Sequence, residues 1–319
     1  MGLNGPSPIR VAYVVSTLRD CGPTTQLYNL ISNLDRATFE VYVITLSNEP
    51  TSTRWCDFSR LEIKLCSLRK RRITLPCVLS RELGALLKAI DPCITHTQGI
   101  RADYLGSLLV GDFEVLTTQR NSPFFDYPLQ YGRILGGLLA CFHLRTLTKL
   151  SNIVSCSHSV ANDLAQHGII SKVIQNGVKL EPLQQGLNDA ERDAERQEKR
   201  DLLGLPSHSV IFVFTGPLIH RKQPLLLIRH FLEYFRSTQT FLCILGDGPL
   251  MRICRKEAND SDQILFPGFI KDVNSYLAAA DVFVSAASAE GLPNSLLEAL
   301  AWNLPVILSD IPPHREVLE

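Results

Sequence analysis

Short apolar runs alternate with amphipathic stretches along the whole chain. Residues 9–18, IRVAYVVSTL, form a near-continuous apolar run with the β-branched content of a strand buried on both faces. Residues 25–34, TQLYNLISNL, carry apolar positions three and four apart, the spacing of a helix with one buried stripe. FEVYVITLS at 39–47 is a second strand, and the alternation continues through SRELGALLKAI, DPCITHTQG, RADYLGSLLV and FEVLTTQRN to residue 121. Repeated strand–helix units predict a parallel, doubly wound α/β sheet. Ligands of such sheets bind beyond the carboxyl ends of the strands.

Polarity rises sharply over 181–204, EPLQQGLNDAERDAERQEKRDLLG, which reads as a solvated helix with i,i+4 ion pairs joining two domains. A second sheet starts with VIFVF at 210–214 and continues through TFLCIL and ILFPG. The predicted organisation is an α/β domain at 1–178, a charged linker at 179–204 and a second α/β domain at 205–319.

The stretch 281–310, DVFVSAASAEGLPNSLLEALAWNLPVILSD, reads as strand, loop, helix, strand. Its helix spans 295–302, with Leu296, Leu297 and Leu300 on one face and Glu298 on another. Glu290 lies in the loop before that helix, beside first-turn amides whose partial positive charge suits a diphosphate. Glu298 can accept two hydrogen bonds from a vicinal diol such as a ribose. The element therefore outlines a nucleotide-sugar site; a loop acid and a solvated helix acid are the plainer alternative. Other candidates stand at strand ends. Gly22 follows the first strand, where glycine permits close backbone approach or a positive φ, or is an ordinary turn residue. His96 ends CITH and either hydrogen-bonds a sugar hydroxyl, takes a proton or is a satisfied structural histidine. Arg120 and Asn121 follow EVLTTQ; the arginine, beside aromatics, suits a sugar phosphate or a sugar face, or a surface salt bridge. Arg221 and Lys222 follow VIFVF, as diphosphate ligands or as a solvated loop.

E-G-x-x-x-S-L-L-E-A-x-A-x-x-x-P-V-I-x-S-D, with Glu290 and Glu298 eight apart, resembles the E-x7-E motif of retaining family-four glycosyltransferases. PPHREV at 312–317 resembles that family's continuation, THTQGIRADYLG its H-x-H-G-x-x-A segment, and IQNGVK its I-x-N-G-V-D segment. The resemblance implies the GT-B fold: two Rossmann-like, doubly wound parallel-sheet domains facing a cleft. It implies transfer, with retention, from a nucleoside-diphosphate sugar to a glycan or lipid-linked acceptor, as in surface polysaccharide synthesis. Glu290 would contact the transferred sugar, Glu298 the ribose, and Lys222 with the amides of Gly291, Leu292, Asn294 and Ser295 the diphosphate. Gly22, Arg221, Gly246 and Ile270 complete the donor side; His96, Arg120 and Asn121 face the acceptor. One family arginine is replaced by Pro217, which leaves Arg221 or His220 to compensate. The family continues beyond the point where HREVLE ends, so the second domain is expected to be incomplete at its carboxyl end. A non-catalytic nucleotide-sugar-binding protein and a nucleotide-sugar epimerase on the same fold remain alternatives.

Composition narrows the partners. With 32 basic and 32 acidic residues, nothing favours bulk nucleic-acid binding. Nine cysteines without a C-x-x-C pair suggest reduced thiols and a cytoplasmic location. No signal sequence or membrane span is legible. The only D-x-D, Asp260-Ser261-Asp262, lies far from the motif, so no metal or other cofactor is expected; the nucleotide sugar is a substrate. RKRR at 69–72 and YGRILGGLLACFHLRTLTKL at 131–150 could dock on an anionic inner-membrane surface, or be a solvated charge run and a packed helix.

Overall fold

The computed structural model describes residues 7–71, 73–178, 189–236 and 238–319. Arg72 of the basic run and linker residues 179–188 lie outside them. The chain divides into two compact units, Met1–Gly177 and Val178–Glu319.

The first unit begins with β1 (Ile9–Val15), α1 (Gly22–Ser32), β2 (Phe39–Ser47), α2 (Trp55–Ser59), β3 (Lys64–Lys70) and α3 (Pro76–Ile90). It continues with β4 (Ile94–Gln98), α4 (Ile100–Ser107), β5 (Val115–Gln119), α5 (Pro123–Tyr131) and α6 (Arg133–Leu147), then β6 (Asn152–Ser155), α7 (His158–Gln166) and β7 (Lys172–Val173). The seven strands form one parallel sheet in the order β3-β2-β1-β4-β5-β6-β7. Strand β1 shows why its sequence is apolar from Val11 onward. Val11, Tyr13 and Val15 pack with Leu27, Ile31 and Phe58 on one face. Ala12 and Val14 pack with Leu79, Leu83 and Leu87 on the other. A two-residue period with helices on both faces leaves no polar side. The strand order reverses between β1 and β4, where Val15 is paired with Gln98. A crevice forms there because the loops leaving the two strands turn to opposite faces.

The second unit contains α8 (Asp189–Leu203), β8 (Val210–Thr215), α9 (Pro224–Phe235), β9 (Thr240–Leu245), α10 (Met251–Ala258) and β10 (Ile264–Gly268). It ends with α11 (Val273–Ala279), β11 (Val282–Ser285), α12 (Asn294–Ala301), β12 (Val306–Leu308) and α13 (Pro312–Leu318). Its parallel sheet has the order β10-β9-β8-β11-β12, reversing between β8 and β11. Helix α8, expected as a solvated linker, is anchored in this unit. Arg200 is 6% exposed and donates to Ala279 O at 2.9 Å, Ser207 O at 3.0 Å, Ser209 O at 3.1 Å and the Asp281 carboxylate at 2.6 Å.

Candidate functional site

The loops that leave β8 and β11 meet at the reversal point of the second sheet. After β8 a 3₁₀ turn, His220–Lys222, precedes α9. The backbone N–H and hydroxyl of Ser288, after β11, both donate to Arg221 O, at 2.8 and 3.1 Å. Arg221 Nη1 returns a bond to Ala289 O at 2.9 Å. Glu290 is thereby held between two cations: Arg221 Nη1 lies 2.5 Å from Oε2, and Lys222 Nζ is paired with Oε1. Both Glu290 and Lys222 side chains are buried, at 7% and 9% exposure. Burial pushes the Glu290 carboxyl up, but the charges and hydrogen bonds of Lys222 and Arg221 outweigh it and hold the group below its ordinary value. Two cations thus meet one carboxylate in a low-dielectric loop. Arg221 and Lys222, adjacent in the chain, both turn to Glu290.

Helix α12 starts directly after this cluster, and its Pro293 N-cap makes no side-chain bond to the first-turn amides. Those amides and the helix dipole add to the positive field. Gly291 and Leu292 are buried and Asn294 and Ser295 partly so, which leaves the backbone of this turn rather than the Leu292 side chain as its polar feature. Leu296 and Ala299 anchor the helix in the core, placing Glu298 off that buried stripe. Burial raises the Glu298 carboxyl to about 7, against a smaller opposing pull from Lys222.

The glycines of GDGP have a packing role. A Cβ on Gly246, whose φ is +143°, would lie 1.9 Å from Gly216 O, and one on Gly248 would lie 2.6 Å from Leu218 O. Only glycine lets the β9 loop close against the β8 loop that presents Lys222. Ile270 packs on the core, whereas its neighbour Phe269 is 57% exposed.

In the first unit, a cavity of about 330 Å³ opens at the carboxyl ends of β1, β4 and β5 and is lined by Gln98, Arg120 and Asn121 among others. Gly22 takes another position from that expected: it is the first residue of α1, with helical rather than positive φ, and its neighbours Cys21 and Pro23 line the cavity. His96 does not reach the cavity. It is 8% exposed, its Nε2 lies 2.8 Å from Thr118 Oγ1, and its ring centroid is 5.0 Å from that of Tyr13. Burial, then the Arg120 charge, push its pKa down to about 3, so proton exchange near neutrality is not available to it. Gln98, two residues further along the same strand, lies at the cavity instead.

Residues missed in the sequence form a buried polar network beneath this cavity. Asp103 is fully buried and accepts from Thr97 and Thr117 at 2.6 Å, Gln119 at 3.1 Å and His143 Nε2 at 2.9 Å. With Nε2 donating to a carboxylate, His143 Nδ1 accepts from the Tyr127 hydroxyl at 2.8 Å. The signal was the polar ending of two otherwise buried strands, THTQ and TTQ. A second omission is His314, 1% exposed, whose Nδ1 donates to Ser309 O at 2.8 Å. Burial lowers its pKa, and it senses the charges of Glu290 and Lys222.

Family models match both units: glycosyltransferase family 4 over residues 21–182 and glycosyl transferases group 1 over 209–319. The chain belongs to this glycosyltransferase family. Over 244 residues it is 32% identical to an Escherichia coli UDP-Gal:alpha-D-GlcNAc-diphosphoundecaprenol alpha-1,3-galactosyltransferase, covering 72% of this chain and 60% of that relative. It is 24% identical to the O-antigen biosynthesis glycosyltransferase WclY of Escherichia coli, covering 98% of this chain and 83% of that protein. The chain spans less than two thirds of the first of these relatives. Among solved structures, Anabaena Alr3699/HepE in complex with UDP and glucose superposes with a TM-score of 0.76 at 14% identity, covering 98% of this chain and 83% of that one. WaaG, a glycosyltransferase involved in lipopolysaccharide biosynthesis, superposes with a TM-score of 0.71 at 16% identity, covering 93% and 80%. These likenesses carry the fold: two Rossmann-like parallel-sheet α/β units of GT-B type.

Proposed function

We propose that this family member transfers a hexosyl or N-acetylhexosaminyl group from a nucleoside-diphosphate sugar to a hydroxyl of a glycan or lipid-linked acceptor, retaining the anomeric configuration and using no metal. The observation that carries the reading is the Arg221–Glu290–Lys222 cluster at the reversal point of the second sheet, against the uncapped start of α12. Without donor, the cations and the carboxylate satisfy one another. An incoming diphosphate competes for Lys222 and Arg221, so Glu290 is released toward the transferred sugar as the cations turn to phosphate. Their charge and the α12 amides then stabilise the leaving diphosphate, the main electrostatic demand of the reaction. Because two fixed cations supply that stabilisation, the site has a means of doing it without a divalent ion. Glu298 receives the ribose diol, and Phe269 offers an exposed ring to the base.

The acceptor side rests on the cavity at the ends of β1, β4 and β5. A lipid-linked acceptor is supported by a surface feature. Helix α6 buries Gly136, Ala140, His143, Leu144 and Leu147, yet its opposite side exposes Ile134, Leu135, Leu138 and Phe142. Apolar residues thus occupy both sides of α6. No helix among the described residues is long and apolar enough to cross a membrane. The exposed stripe, beside Arg133, fits peripheral docking on an anionic cytoplasmic leaflet.

The direct test is incubation with UDP-galactose, UDP-glucose and UDP-N-acetylglucosamine plus glycan acceptors, with EDTA present and the anomeric configuration of the product read by NMR. A retained-configuration product is expected. Nucleotide binding without turnover would make the chain a binding protein, and an altered free nucleotide sugar would make it an epimerase.

A further inference from the structure

Two arginines of this chain, Arg200 buried and Arg120 partly buried, sit in very different surroundings. Arg200 commits its guanidinium to three carbonyls and the Asp281 carboxylate. Arg120, at the carboxyl end of β5, makes one side-chain bond, from Nη1 to the neutral Asn176 Oδ1 at 2.8 Å. Its Nε is buried with no partner. No Asp or Glu is among the groups whose charge acts on it, and burial pulls its pKa below the ordinary value. A guanidinium drawn out of water without an anion is destabilising.

This partly buried charge faces a cavity. Arg120 lines the space of about 330 Å³ at the crevice between β1 and β4. Gln98 lines it too; this side chain is 9% exposed and its Nε2 is also buried without a partner. Arg19 adds an exposed cation to the rim. One carboxylate, Asp126, shares the lining, but it is not among the charges acting on Arg120. Two side chains from the ends of different strands, one of them cationic, therefore line the same cavity, and each holds a buried nitrogen without a protein partner. Their chemistry matches a tetrahedral oxyanion, for which a guanidinium and a neutral amide are complementary donors. A cavity of this size, at the lower end of the range for small-molecule pockets, holds a phosphate and the group attached to it.

We infer that this cavity is a phosphate subsite of the first unit, in which Arg120 and Gln98 grip a phosphate ester carried by the acceptor. The inference rests on the transferase reading and deepens it, giving the acceptor a phosphorylated anchor next to its reacting sugar. The two units then hold different phosphates. Lys222 and Arg221 take the donor diphosphate, and Arg120 takes a second, independent phosphate.

The test is calorimetric titration of phenyl phosphate into the full chain saturated with UDP, so that the second-unit cations are already engaged. Wild type should bind one phenyl phosphate per chain. Arg120→Met should weaken binding by about 10- to 100-fold, the strength of a charge-assisted hydrogen bond, and Gln98→Leu by about tenfold or less. Lys222→Met, titrated without UDP, should leave the phenyl phosphate site intact. Absence of wild-type binding, or binding that survives Arg120→Met and disappears in Lys222→Met, would overturn the inference. If Arg120→Met does not fold by circular dichroism, Gln98→Leu decides by the same readout. Benzyl alcohol, which lacks the phosphate, should not bind; equal binding would assign the cavity to the ring alone and also overturn the inference. UDP affinity, measured separately, reports on the donor reading: its failure leaves the Arg120 result standing on its own, and the reverse holds as well.

Discussion

Replacing Glu298 by glutamine should stabilise the protein at alkaline pH while weakening the donor site. The carboxyl rises from an ordinary 4.5 to about 7 because α12 holds it in a poorly solvated position. A carboxyl whose folded pKa lies above its unfolded one favours the folded state most below the unfolded value. That advantage is lost as pH rises through about 7. The difference corresponds to roughly 3 kcal/mol between pH 4 and pH 8. Glutamine has no charge to bury, so Glu298→Gln should match wild type within about 0.5 kcal/mol at pH 4. It should exceed wild type by roughly 2–3 kcal/mol at pH 8. Urea unfolding from pH 4 to 8.5, followed by circular dichroism, reads the difference directly. A pH-independent difference, or a variant less stable than wild type at pH 8, would refute the reasoning. Such retained instability is expected of a group kept for binding, because the ionised carboxylate is the better acceptor for a ribose diol. UDP affinity of the wild type should accordingly strengthen between pH 6 and pH 8, and that of Glu298→Gln should not.

Glu290→Gln removes the counter-charge of two cations in a buried loop and should cost about 3 kcal/mol or more in urea unfolding, together with transfer activity. Asp103→Asn leaves two hydroxyls, an amide and an imidazole competing for a poorer acceptor, and should destabilise the first unit by about 2–4 kcal/mol in the same measurement. Leu138→Asp on the exposed side of α6 should abolish co-sedimentation with vesicles containing phosphatidylglycerol without changing the circular dichroism spectrum; unchanged sedimentation would remove the case for membrane docking. His96→Gln, a change away from every titrating position near neutrality, should leave the shape of any pH–rate profile between pH 6 and 9 unaltered.

The fold was legible because buried parallel strands announce themselves. β1, β2 and β8 are apolar on both faces, and no other element tolerates such runs between helices of ordinary length. The Glu290–Glu298 pair was legible for a similar reason: both lie on one short, continuous element. What sequence order hides is the meeting of separate loops. Arg221 and Glu290 are 69 positions apart, and only the reversal between β8 and β11 brings them together. His96 misled for another reason. It stands at the centre of β4 rather than at its end, its side chain lies between Tyr13 and Thr118, and the pairing of β1, β4 and β5 seals it there. The Asp103 network was invisible because DYLG at 103–106 carries the pattern of an ordinary helix surface; only the polar ends of β4 and β5 give it a reason to turn inward. Helix α6 carries apolar residues on both sides, so no periodicity distinguishes the packed face from the exposed one.

The central claim is that the second unit binds a nucleoside diphosphate through Lys222 and Glu298. Its most direct test is the thermal shift given by a panel of nucleoside diphosphates, each variant compared with its own ligand-free melting temperature. Wild type should gain stability with at least one of them, and the gain should vanish in Lys222→Met and shrink in Glu298→Ala. A wild type that no nucleoside diphosphate stabilises, or a shift that survives in both variants, would contradict it.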